Sequence, residues 1–89
     1  MKLFRTIDEK LYDIGFVKMS EDKYGAEYER ENTKYGYIQT LSLPHKANGK
    51  HLIQSYQKDV NKDGFNNVVG LTVYESKLAL KKMKEMGFR

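Results

Sequence analysis

The chain has no cysteine, a single proline and no stretch approaching the length of an apolar membrane span. Without cysteine there is no disulfide, no thiolate metal ligand and no thiol nucleophile, which fits a reducing compartment. Met1 to Glu9 carries a lysine with no apolar run behind it, so it does not read as a signal peptide. The expected location is cytoplasmic, with no membrane partner. An acidic excess is lacking too. Sixteen Lys and Arg stand against 12 Asp and Glu, for a formal charge of +4. This argues against an acidic mimic of nucleic acid and leaves nucleic-acid binding open. What is present is core material: seven tyrosines and four phenylalanines in 89 residues. A chain of this length is expected to form one domain, residues 1–89, whose core must be efficient because little surface is buried.

The first segment reads as a helix. Leu3, Phe4, Ile7, Leu11 and Ile14 fall on one arc at helical spacing, and Gly15 follows as the residue that ends it. Phe16 to Met19 reads as a short strand, and Lys23-Tyr24-Gly25 as a turn or the opening of the next strand. Tyr24, Ala26 and Tyr28 alternate with Glu27, Glu29 and Glu31, the period of a half-buried strand. Asn32-Thr33-Lys34 is a turn, and Tyr35, Tyr37, Gln39, Leu41 and Leu43 continue on alternate positions. Pro44, with no amide donor, belongs at a strand end or sheet edge.

Asn48-Gly49 suits both central positions of a type I′ hairpin. Folding about it pairs Ala47 with Lys50, Lys46 with His51, His45 with Leu52, Leu43 with Gln54 and Leu41 with Tyr56. Leu41, Leu43, Leu52 and Tyr56 then share a buried face. Thr40, Ser42, Ser55 and Gln57 share a wet one, with Ile53 its apolar exception. Thr72-Val73-Tyr74-Glu75 is a capping box opening a second helix. Its expected apolar stripe is Val73, Ser76, Ala79, Leu80, Met83 and Met86, and Gly87 caps it. The expected fold is α+β: helix, three- to four-stranded antiparallel sheet, helix, with both helices on one face of the sheet.

Several residue groups bear on chemistry. Asp59, Asn61, Asp63 and Asn67 place oxygen side chains at the spacing of a calcium loop, with Gly64 at its turn. Gly70 stands where the bidentate closing ligand belongs. Over these nine residues the segment resembles the calcium loop of EF-hands and dockerins, which implies a weak Ca²⁺ site; the alternative is a polar Asx turn. His45 and His51 fall on opposite faces of the expected hairpin, which keeps them from sharing a metal. Glu27, Glu29 and Glu31 line one strand face, the pattern of a solvated sheet. No Gly-rich phosphate loop or nucleophile elbow is present, and the serines have no histidine at a set distance. A non-enzymatic protein without a cofactor, Ca²⁺ aside, is expected.

On the second helix Lys77, Lys81 and Lys84 form a row at i, i+4, i+7 spacing, with Lys82 on another side. Tyr74 and Leu78 lie beside the row. Tyrosine gives rigid contact area with a polar tip and is enriched at interfaces. Tyr74, Lys77, Leu78, Lys81 and Lys84 are therefore the expected partner-binding residues, unless that wide arc simply packs on the sheet and first helix. The element order with a basic final helix is similar to the double-stranded-RNA-binding fold, which reads shape and phosphates. That family places its phosphate contacts at the start of the final helix, whereas these lysines lie in its middle and end, and the alternative is a solvated face favoured by the helix dipole. The stretch from His51 to Gly87, with Leu52-Ile53-Gln54-Ser55-Tyr56, Phe65-Asn66-Asn67 and Val69-Gly70-Leu71-Thr72, resembles small proteins of phages and mobile elements in Gram-positive bacteria. That resemblance implies a regulator or inhibitor of host machinery, including defence systems. The leading expectation is a binding module that docks on a protein partner; the alternative is nucleic-acid binding through the lysines. The oligomeric state is left open.

Overall fold

The computed structural model describes residues 5–45, 51–58 and 68–87. In chain order these form α1 (Ile7–Asp13), β1 (Val17–Asp22), β2 (Gly25–Asn32), β3 (Tyr37–Pro44), β4 (Gln54–Gln57) and α2 (Val73–Glu85). The four strands make one antiparallel sheet in the order β1-β2-β3-β4. The α+β class and the element order are as the sequence predicts. Leu3, Phe4, the Asn48-Gly49 turn and the calcium-like loop from Asp59 to Asn67 lie outside the described residues.

Local chemistry sets the helix ends. A capping box opens each helix: Thr6 with Glu9 for α1, Thr72 with Glu75 for α2. At the end of α1 the Phe16 amide donates to the Leu11 carbonyl, and the Gly15 amide to that of Tyr12, both at 2.9 Å. This is a Schellman arrangement, and the apolar contact that accompanies it joins Phe16 to Leu11 inside the core. Gly15 has φ +100°, and a Cβ there would press on the Arg30 side chain. At the other end of β2, Gly25 (φ +138°) lies so close to β3 that a Cβ would collide with the Leu43 carbonyl oxygen.

The core is built from one row of cross-strand pairs. Ala26 faces Leu43 and Tyr28 faces Leu41. Onto these pack Leu11 and Phe16 from the α1 side and Leu78, Ala79 and Met83 from α2. Each fully buried Leu or Phe contributes roughly 1.5–3 kcal/mol.

The β3–β4 register differs by one residue from the one a two-residue Asn-Gly turn would set. Leu41 faces Ser55, Thr40 faces Tyr56, Ser42 faces Gln54, and His45 bridges His51. One residue of slip exchanges the faces of an entire strand. Ile53 therefore packs against the core, while Leu52, expected inside, is exposed and Tyr56 shares the face of Thr40. Thr40 and Ser42, expected to be wet, are buried between neighbouring strands. The register also satisfies Gln39, whose buried side chain donates to Ser55 Oγ at 2.7 Å.

The buried face of α2 is rotated by roughly a quarter-turn from the predicted apolar stripe, at 100° per residue. Its buried residues are Glu75, Leu78, Ala79, Lys82 and Met83. Val73 and Leu80, expected in the core, are 71% and 50% exposed. The rotation brings two charged side chains inward, and each meets partners from outside the helix.

Candidate functional site

Two polar clusters tie the helices to the sheet. In the first, Arg30 on β2 donates to the Glu75 carboxylate at 2.7 Å, to the Ile14 carbonyl at 3.1 Å and to Gln39 Oε1 at 2.8 Å. Its guanidinium lies 4.2 Å from the Phe16 ring centroid. Glu75 is fully engaged, since its other oxygen accepts from the Thr72 amide at 2.9 Å. Burial pushes the Glu75 carboxyl up, but the Thr72 amide and Arg30 outweigh it and hold the group below its ordinary value.

In the second cluster, Lys82 lies 2.7 Å from Glu21 and 3.3 Å from Asp8. Lys18 joins the same two carboxylates at 3.3 and 3.0 Å. The Tyr28 hydroxyl donates to Asp8 at 2.5 Å. Burial works against the Lys82 ammonium and the Asp8 carboxylate, yet each is held in its charged form by the other members. Glu21 is held down chiefly by Lys82, and Lys18 is raised by Asp8 and Glu21. Burial, and then the hydrogen bond to Asp8, push Tyr28 far above the ordinary phenol range. Fixed charges of this kind brace a fold. Lys82 is protonated and enclosed, with its side chain 3% exposed, so it offers no amine nucleophile.

The internal pairing leaves a distinct outer face on α2. Lys77, Lys81 and Lys84 are exposed and enter no ion pair among the described residues. Between and beside them stand Val73, Tyr74 (53% exposed) and Leu80. The structure thus brings together four of the five residues expected to bind a partner. The fifth, Leu78, is 2% exposed and belongs to the core, because the rotation of α2 aims it at Leu11 and the sheet row. Val73 and Leu80, assigned by the sequence to the core, take its place on the surface.

The other exposed tyrosines do not extend this face into one strand patch. Tyr24 and Tyr35 sit in the turns at opposite ends of β2, each beside a lysine of its own turn, Lys23 and Lys34. Tyr12 on α1 borders a cleft of about 460 Å³ with Arg5, Asp8, Asp13, Phe16 and Lys18. The charges of that cleft are used internally, Arg5 with Asp13 and Lys18 with Asp8.

On the opposite sheet face Glu29 pairs with Lys58 at 2.8 Å, in keeping with a solvated row of glutamates. The histidines depart from expectation. His45 and His51 face each other across the strands rather than lying on opposite faces, with their Nδ1 atoms 3.1 Å apart. Among the described residues no three His, Cys, Asp or Glu side chains converge as a metal site. The proposed calcium ligands Asp59, Asn61, Asp63 and Asn67 are outside those residues.

The residues that sequence reasoning missed are Arg30 and Lys82. A signal for Lys82 was present: it follows Glu75 and Leu78 at seven- and four-residue spacing, in phase with the buried face. Among the described residues no helix is long and apolar enough to cross a membrane. No protein-family model matches the chain, and no curated protein or solved structure matches it either.

Proposed function

We propose that this protein is a non-enzymatic binding module that docks the outer face of α2 on an acidic protein surface with an apolar centre, and so acts as a regulator or inhibitor. One observation carries this reading. On one face of α2, Lys77, Lys81 and Lys84 enter no ion pair among the described residues and stand beside exposed Val73, Tyr74 and Leu80, so free positive charge and exposed apolar surface coincide there. A helix that tracks phosphates gains from uniform charge. An apolar group as exposed as Val73 gains instead from burial against a protein.

Photo-crosslinking from position 73 in the source cell identifies the partner, which is then purified and titrated. The affinity is expected to fall in Lys77→Glu/Lys81→Glu and, separately, in Leu80→Ser, with melting curves unchanged. Three results would overturn the reading: no crosslinked protein, an affinity indifferent to both changes, or lysine-dependent retardation of duplex DNA or RNA at low salt in place of protein binding.

A further inference from the structure

The His45–His51 pair at the end of the β3–β4 ladder has the geometry of a chelate. The two residues are directly opposed in an antiparallel bridge, so the backbone presents both side chains to the same face. Their rings stack with centroids 4.6 Å apart and planes 20° apart, while the Nδ1 atoms approach to 3.1 Å. The nitrogens are closer than the ring centres, so the rings lean together at their Nδ1 edges. The Tyr24 carbonyl accepts from the His45 amide at 2.8 Å, which anchors one side of the pair to the β1–β2 turn.

Two imidazole nitrogens at that separation, each about 2.0–2.1 Å from a shared ion, subtend an angle of about 100° at the metal. This lies between the square arrangement favoured by Cu²⁺ and Ni²⁺ and the tetrahedral one of Zn²⁺. We propose that His45 and His51 form a bidentate site for a late first-row divalent ion, bound through both Nδ1 atoms. Cu²⁺ binds tightest by the general order of affinities for nitrogen ligands. Both Nδ1 atoms must then present a lone pair to the ion, with the ring proton on Nε2. A bound ion clamps the ends of β3 and β4 and stabilises the folded chain in proportion to its saturation.

Ni²⁺ or Cu²⁺ alone, added to the tag-free chain, tests this by calorimetry and thermal melting. The expected result is binding heat and a raised melting temperature near neutral pH, both lost in His45→Gln and in His51→Gln. Resonances of His45, His51 and their strand neighbours should be the ones Cu²⁺ broadens in the wild-type spectrum, a readout that does not depend on the variants folding. The proposal is overturned if no binding occurs, if both variants bind as the wild type does, or if broadening is confined to other residues such as the Asp59 loop.

Discussion

Arg30 and Glu75 are 45 residues apart in sequence and 2.7 Å apart in space, joining the C-terminal part of β2 to the first turn of α2. Their side chains are 26% and 9% exposed, so each charge depends on the other. Removing one partner from a fully buried pair costs about 3–5 kcal/mol, whereas replacing both can approach neutrality. Glu75→Ala also removes half of a capping box, worth about 1 kcal/mol. Urea denaturation is therefore expected to show losses of roughly 2–4 kcal/mol for Arg30→Met and for Glu75→Ala, a range drawn from that buried-pair cost. The double variant Arg30→Met/Glu75→Ala should lose less than the sum of those two single changes. Additive losses would show that the pair is not coupled.

The two clusters bracket the pH range in which the fold is stable. Asp8, Glu21 and Glu75 are held below their ordinary values of 3.8, 4.5 and 4.5. Their contribution is complete above those values and is lost as the pH falls through the lower values of the folded state. Lys18 and Lys82 are raised above 10.5, and Tyr28 above 10.0. That contribution is complete below about pH 10 and is lost on further alkalinisation. The urea midpoint measured against pH should form a plateau falling at both ends. Tyr28→Phe should lower the plateau and flatten part of the alkaline arm, because the phenol no longer titrates. An unchanged alkaline arm would remove Tyr28 from the cluster's energetics.

Leu78 and Leu80 are two residues apart and have opposite roles. Leu78 is enclosed by the core, and Leu80 is half exposed. Leu78→Ala is expected to cost about 2–5 kcal/mol, the range for a buried leucine. Leu80→Ala should stay within about 0.5 kcal/mol, as for a surface change away from special contacts. Equal losses would mean that α2 is turned about its axis relative to the orientation described above.

The rotation of α2 explains what could and could not be read beforehand. A periodicity argument counts apolar residues, and by that count Val73 and Leu80 belong inside while Glu75 and Lys82 belong outside. The opposite holds because Arg30, Asp8 and Glu21 arrive from β2, α1 and β1 to match those charges. None of these partners is near in sequence, so no local pattern announces them. The candidate binding face was legible in part: the Lys77, Lys81 and Lys84 row and Tyr74 are on the surface as expected, but Val73 and Leu80 were assigned to the buried stripe and Leu78 to the face.

By itself the sequence determined the elements whose causes are local. Thr72 and Glu75 cap α2, Gly15 ends α1, and alternation marks β2 and β3, because each depends on contacts within a few residues. Tertiary structure alone decided the β3–β4 register, the face α2 buries and the meeting of His45 with His51. A strand register one residue away satisfies the same local propensities. What selects between the two is where Ile53 and the Gln39 amide find partners, and those partners are supplied by the rest of the fold.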